Sequence, residues 1–245
     1  MTLGNVVGIS RRISRMNQET LSTREGSFSG EQRTVIIGDV HGCSVELAKL
    51  LGAAEITEKD NIICVGDLIS KGPDSRSVME WAMATPNLRC VLGNHEERLL
   101  ERWISGEKPD AQSSAGETFR QLGDSLEESM NFIRSWPLYV EGDGFVVVHA
   151  GLDPRKPTLE KQSLRDLTTI RMPEGMDIPW YEAYTGERLV VFGHWSKPEP
   201  VIRPNAIGID TGCVYGGHLT ALILPEKRLV SVPAERSYFK VLSRA

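Results

Sequence analysis

The first half of the chain alternates short apolar runs with amphipathic segments. Residues 34–37, 61–65 and 88–92 are largely apolar runs that end at a glycine, and each predicts a buried β-strand. The segment after each run has apolar residues at helical spacing, as Leu47 and Leu50 do after the first run. Continuous apolar strands that alternate with helices are typical of a sheet covered on both faces. The pattern therefore predicts an α/β fold.

The second half of the chain has a different pattern. Residues 117–136 carry apolar residues at helical spacing and predict one helix, whereas residues 138–148 predict a β-hairpin. Residues 152–187 contain several prolines and are expected to be largely loop. Further strands are predicted over 189–192, 206–209, 219–224 and 229–232.

Composition excludes several classes of protein. The chain has 245 residues, 40% hydrophobic and 25% charged, with a formal net charge of −5. These values are near the averages for folded proteins, and the negative charge argues against broad nucleic-acid binding. No run approaches the length of a membrane helix, and we expect the cysteines to be reduced, buried thiols of a cytoplasmic protein. Residues 1–32 are polar and are expected to be a disordered N-terminal tail before the domain at 33–245.

Residues that can bind metal follow the predicted strands closely, each near a glycine. They are Asp39, His41, Asp67, Asn94, His95, His149 and His194. Because ligands of an open α/β sheet gather beyond the carboxyl ends of the strands, we expect the first four ligand positions to converge on one edge. The glycines fit a backbone that approaches a ligand closely. One such site alone would more often be ordinary packing, but five in the same position relative to their strands favour a metal centre.

Five motifs in a fixed order resemble the calcineurin-like metallophosphoesterase superfamily, in particular its phosphoprotein-phosphatase branch. They are GDVHG at 38–42, GDLISKGP at 66–73, GNHE at 93–96, VHAGL at 148–152 and GH at 193–194. The resemblance extends over residues 34–233. It implies an α/β sandwich of two mixed β-sheets flanked by α-helices, with residues 33–245 as the catalytic domain.

The resemblance also implies two divalent metal ions. The implied ligands are Asp39, His41 and Asp67 for one ion, and Asp67, Asn94, His149 and His194 for the other. Asp67 would bridge the pair, and a hydroxide that also bridges it would attack phosphorus. His95 would protonate the leaving oxygen. Nitrogen and oxygen ligands without thiolate suit manganese, with iron or zinc as alternatives.

Departures from the protein-phosphatase pattern bear on the substrate. Ser70 stands where that pattern has the Asp that orients the acid histidine, Lys71 stands for a phosphate-binding Arg, and Leu92 replaces another Arg. Symmetrical bis(5'-nucleosyl)-tetraphosphatases resemble this chain in these departures. They also resemble it in the segments at 179–181, 191–195 and 209–217, and in the segment of Arg171, which would supply a second phosphate-binding side chain.

We therefore expect metal-dependent hydrolysis of a phosphoanhydride or phosphoester bond. The expected substrate is diadenosine tetraphosphate or a related polyphosphate, bound by Lys71, Arg171 and Asn94. A Ser/Thr protein phosphatase is the alternative, since Glu96 ends its motif in the protein-phosphatase form. A catalytically silent protein that binds metal or phosphate is the alternative from another class. The expected partners are a small phosphorylated anion or a phosphoprotein, and no membrane.

Overall fold

The computed structural model describes residues 32–240, which form two β-sheets flanked by helices. The strands are β1 (Thr34–Ile37), β2 (Asn61–Cys64), β3 (Leu88–Cys90), β4 (Tyr139–Gly142), β5 (Phe145–Val148), β6 (Leu189–Phe192), β7 (Val201–Arg203), β8 (Ala206–Gly208), β9 (His218–Leu224) and β10 (Arg228–Pro233). The α-helices are α1 (Ser44–Ala53), α2 (Ser75–Ala84), α3 (Asn94–Ser105), α4 (Ser114–Leu122), α5 (Leu126–Ile133), α6 (Leu164–Thr169) and α7 (Trp180–Ala183). This architecture confirms the expected α/β sandwich.

Both sheets are mixed. The first has the strand order β10-β9-β1-β2-β3, in which β1, β2 and β3 are parallel and β9 pairs antiparallel with β1 and β10. The second has the order β4-β5-β6-β8-β7, in which β5, β6 and β8 are parallel and the edge strands are antiparallel to their neighbours. The five motifs lie on parallel strands, so the carboxyl ends of those strands carry the motif loops.

Side chains of β1 fill two separate cores because they alternate between the faces of the sheet. Ile36 points towards the second sheet and packs in a cluster that includes Val147 of β5. Val35 and Ile37 point the other way, into a cluster that includes Leu50 of α1. Burying one aliphatic side chain of this size stabilises a fold by about 1.5–3 kcal/mol. Burial on both faces explains the unbroken apolar runs in the sequence.

The prediction of one continuous helix over residues 117–136 is wrong. The helix α4 ends at Leu122, a 3-10 turn follows at Gly123–Ser125, and α5 then begins. Gly123 has φ 53° and ψ −122°, which side-chain-bearing residues rarely adopt. The apolar spacing continues through this break, so the hydrophobic pattern alone does not mark it.

Two further differences concern the second half of the chain. The largely irregular segment 152–187 contains α6, which begins with a capping box between Ser163 and Asp166, and the short α7. Strand β7 was not predicted, and Ile202 on it is 59% exposed. A short exposed edge strand has no buried face, so it leaves no alternating apolar pattern.

The remaining expectations concern the tail, the membrane and the cysteines. The tail expected at 1–32 lies outside the described residues except for Gln32. Within residues 32–240, no helix is long and apolar enough to cross a membrane. The cysteines at 43, 64, 90 and 213 are all buried free thiols, as expected.

Candidate active site

The structure brings together His41, Asp67, Asn94, His149 and His194 at the carboxyl ends of β1, β2, β3, β5 and β6. Asp67 Oδ2 lies 3.6 Å from His41 Nε2 and 3.5 Å from His149 Nε2. Asn94 Oδ1 lies 3.0 Å from His149 Nε2 and 3.0 Å from His194 Nδ1. Asp67 therefore stands between His41 on one side and the group of Asn94, His149 and His194 on the other.

Asp39 links the two sheets at this edge. Its carboxylate accepts hydrogen bonds from the backbone N–H of His194, with oxygen–nitrogen distances of 3.1 and 3.2 Å. Two glycines make the close approach possible: a Cβ on Gly193 would lie 1.9 Å from Asp39 Oδ1, and one on Gly93 would lie 2.3 Å from Asp67 Oδ1. These distances confirm the expected reason for the motif glycines, because any side chain there would displace a carboxylate.

Backbone carbonyls orient two of the histidine rings. His149 Nδ1 lies 2.8 Å from the carbonyl oxygen of Val65, and His41 Nδ1 lies 3.3 Å from that of Ile69. A ring that donates its Nδ1–H to a carbonyl presents the lone pair of Nε2. Both Nε2 atoms therefore face Asp67 as potential ligand atoms.

The backbone is strained at three of these positions. The φ angles are 48° at His41, 50° at Asp67 and 67° at His194, in a region that residues other than glycine seldom occupy. Such a conformation costs on the order of 1–3 kcal/mol per residue and persists only where surrounding contacts hold it. Strain of this kind concentrates at functional sites, which is consistent with a ligand-binding role for these loops.

Glu96 is a residue of the site that sequence reasoning did not assign to it. It is fully buried on α3, where Oε2 accepts the backbone N–H of Asp67 at 2.9 Å and Oε1 accepts that of Ile69 at 3.1 Å. The carboxylate thereby holds the strained loop after β2. The signal in the sequence was its place two residues after Asn94, at the start of a helix that follows a strand.

The proton affinities of the cluster suit divalent cations. Burial lowers the pKa of His41 and His149, and it lowers the pKa of His194 to about 3, so all three rings are neutral near pH 7. Burial and the charges of Asp210 and Asp67 raise the pKa of Asp39 well above its ordinary value. Neutral imidazoles offer lone pairs, and a cation between the carboxylates would relieve their repulsion. The donor set therefore fits the expected metals.

His95 lies beside these residues. Its ring centroid is 5.0 Å from that of His41, and its backbone N–H donates to Asp67 Oδ1 at 3.0 Å. Burial lowers the pKa of His95 to about 4, although the negative charge of Asp67 opposes this. Ser70 stands where protein phosphatases have the carboxylate partner, and its hydroxyl instead bonds to Ser114 at 2.7 Å.

The two predicted phosphate-binding cations occupy different places. Lys71 is in the site, with Nζ 3.1 Å from His41 Nε2, and its backbone N–H donates to the Ser114 hydroxyl at 3.2 Å. Arg171 is exposed at the margin, where its guanidinium carbon lies 5.5 Å from the centre of the Trp195 ring. Lys197 Nζ lies 3.9 Å from the centre of the same ring. Two cationic side chains therefore lie over the Trp195 ring at the margin of the site.

Comparison with known proteins identifies the family. The pattern of the calcineurin-like phosphoesterase family matches residues 32–222. A symmetrical bis(5'-nucleosyl)-tetraphosphatase from Janthinobacterium sp. (strain Marseille) is 28% identical over 81% of this chain and 95% of its own length. The asymmetrical bis(5'-nucleosyl)-tetraphosphatase PrpE of Anoxybacillus flavithermus is 32% identical over 83% of this chain and 95% of its own. A crystal structure provisionally assigned to a diadenosine tetraphosphatase is 30% identical and has a TM-score of 0.73, over 83% of this chain and 94% of that one. The chain therefore belongs to the calcineurin-like phosphoesterase family and is a phosphoesterase, a hydrolase.

Proposed function

We propose that this phosphoesterase hydrolyses dinucleoside polyphosphates such as diadenosine tetraphosphate, with two divalent metal ions. The observation that carries the metal assignment is the position of Asp67 Oδ2, within 3.6 Å of His41 Nε2 and 3.5 Å of His149 Nε2. Asp39, His41 and Asp67 would hold one ion, and Asp67, Asn94, His149 and His194 the other. Two such ions, with manganese the first choice and iron or zinc the alternatives, would supply Lewis-acid stabilisation of phosphoryl charge and a nucleophilic water.

The surroundings of His95 favour an anhydride over a phosphoserine substrate. A ring with a pKa of about 4 is seldom protonated at pH 7, and Ser70 supplies no carboxylate to hold a proton on it. An alkoxide leaving from a phosphoserine needs that proton. A nucleotide leaving from a polyphosphate carries a phosphate group with a pKa of about 6, so it departs without one. The site is therefore better suited to phosphoanhydride cleavage.

Positive charge extends from the site towards its margin. Lys71 lies within the cluster, whereas Arg171 and Lys197 lie at Trp195, the residue that follows His194. Cations in fixed positions beyond the reacting phosphate stabilise the further phosphates of a longer anion. This arrangement supports a substrate with several phosphates, and the names of the tetraphosphatase relatives point to the same class.

The test is a comparison of substrates with the metal-reconstituted protein. We expect a higher kcat/KM on diadenosine tetraphosphate than on a phosphoserine peptide when both are assayed with Mn²⁺, Fe²⁺ and Zn²⁺. The reverse order with every metal would refute the substrate class. Chromatography of the products identifies the cleaved bond, since symmetrical cleavage gives two ADP and asymmetrical cleavage gives ATP and AMP.

A further inference from the structure

A second group of potential metal ligands lies outside the proposed catalytic site. Cys43, Glu46 and Cys213 each offer one ligand atom, and the three atoms lie within 4.8 Å of one another. The group is sealed from solvent, with exposed fractions of 0%, 0% and 1%. Cys43 directly precedes α1, Glu46 lies in its first turn, and Cys213 begins a 3-10 turn just before β9. Two distant segments of the chain therefore meet at this point.

Glu46 is the most informative residue of this group because only one of its two carboxylate oxygens is hydrogen-bonded. Its Oε1 accepts hydrogen bonds from the backbone N–H of Glu235 at 2.9 Å and the hydroxyl of Tyr238 at 2.8 Å. Its Oε2 is buried and has no hydrogen-bond partner among residues 32–240. A buried carboxylate oxygen without a partner is costly, so such an oxygen beside two thiols points to a missing cation.

We propose that Cys43, Glu46 and Cys213 supply three ligands of a zinc ion, whose tetrahedral coordination a buried water would complete. Thiolates select soft or borderline metals, and zinc is the common one that also accepts a carboxylate oxygen. Binding would release the thiol protons to solvent. A disulfide between the two cysteines would use both sulfur atoms but leave Glu46 Oε2 without a partner. A zinc ion accounts for all three ligand atoms.

The ion would join the loop that precedes α1 to the turn at Cys213. Through Glu46 it would also strengthen the attachment of the C-terminal segment, which contains Glu235 and Tyr238. Glu46 already holds Glu235 and Tyr238, and the backbone N–H of Tyr238 donates to the carbonyl of Val214, next to Cys213, at 3.0 Å. Cys43 ends the GDVHGC stretch that contains two proposed catalytic ligands. Zinc at this point would therefore stabilise one flank of the active site without contacting substrate.

The test uses cobalt as a spectroscopic substitute for zinc. The full-length protein is purified with reductant, stripped with a chelator and titrated with Co²⁺ alone. The proposed catalytic ligands are nitrogen and oxygen atoms, so only the new site can produce a thiolate-to-cobalt charge-transfer band in the near ultraviolet. We expect the intensity of this band to correspond to one thiolate-bound Co²⁺ per chain, out of up to three Co²⁺ bound in total. The band should be lost on addition of excess Zn²⁺.

Variants assign the band to the three residues. Cys213→Ala should abolish it, and Glu46→Gln should weaken Co²⁺ binding by about tenfold or more. Cys64→Ala is the matched control, because Cys64 is a buried free thiol that lies beside Cys90 on the neighbouring strand, away from the proposed ligands. This variant should leave the band unchanged. Asp67→Asn should also keep the band while it loses catalytic metal, so failure of the catalytic proposal would be recognised separately.

Three results would overturn the zinc site. The first is the absence of a thiolate band from the wild-type protein at saturating Co²⁺. This result does not depend on whether any variant folds. The second is a band that survives Cys213→Ala. The third is a thiol count, made on the denatured protein without reductant, that is two lower than the four cysteines of the chain and so indicates a disulfide between Cys43 and Cys213.

Discussion

The replacement His95→Ala should reduce activity by an amount that depends on the leaving group. A pKa of about 4 leaves about one ring in 10³ protonated at pH 7. General acid catalysis is worth about 10²–10⁴ in rate, so the scarcity of the acid form offsets most of its benefit. For diadenosine tetraphosphate, whose leaving group needs no proton, we expect kcat/KM to fall by less than about tenfold. For phenyl phosphate, whose leaving group needs the proton, the fall should be larger by up to about tenfold.

The assay measures kcat/KM at pH 7 for both substrates, because this parameter reports the protonation states of the free enzyme. Released nucleotides are separated by anion exchange, and phosphate from phenyl phosphate is measured colorimetrically. His218→Ala is the matched control, since His218 is an exposed histidine at the start of β9. Metal content is measured in each variant. An equal loss on both substrates with metals retained would refute the leaving-group reasoning.

Three other predictions concern the metal cluster and its support. Asp67→Asn should lower the metal content at both proposed catalytic positions, whereas Asn94→Ala should lower it at one, as measured by elemental analysis after dialysis. Glu96→Gln turns an amide NH₂ towards a backbone N–H, so unfolding free energy should fall by about 1–3 kcal/mol in urea titrations, and an unchanged midpoint would contradict the role of Glu96. Burial lowers the pKa of His194 to about 3 and that of His95 to about 4, so below pH 6.5 these two rings bind more protons in the unfolded chain than in the folded one. These two rings should therefore reduce the stability of the chelated protein by about 2 kcal/mol each between pH 7.5 and pH 5, and the raised pKa values of Asp39, Asp210 and Glu96 oppose that loss. His95→Asn should lose less stability than the wild type between the two pH values in urea titrations.

Most of the catalytic cluster could be predicted because its residues follow strands directly. Asp39, Asp67 and Asn94 each come within four residues of the end of a parallel strand, and parallel strands bring their carboxyl ends to a common edge. The sandwich itself followed from the resemblance carried by the motifs. The division of the helix at Gly123 could not be predicted, because the apolar spacing continues across it.

Contacts between distant segments were harder to predict than positions along one strand. The sequence gives no sign that Ser114 would bond to Ser70, since the two belong to different elements and serine is common at the start of helices. The group at Cys43, Glu46 and Cys213 was also missed, because its cysteines are far apart in sequence and lack a metal-binding spacing. Such pairings depend on how α1 docks against the C-terminal segment, which a local pattern does not encode.

The bond between Asp39 and His194 has a consequence for how the enzyme matures. These residues are 155 positions apart and stand on different sheets. During synthesis at the ribosome, the proposed second ion would lack His194 until β6 has emerged and the two sheets have docked. Capture of this ion would then be a late step that follows assembly of the sandwich, so a cell short of metal would accumulate a folded but inactive protein that later supply could activate.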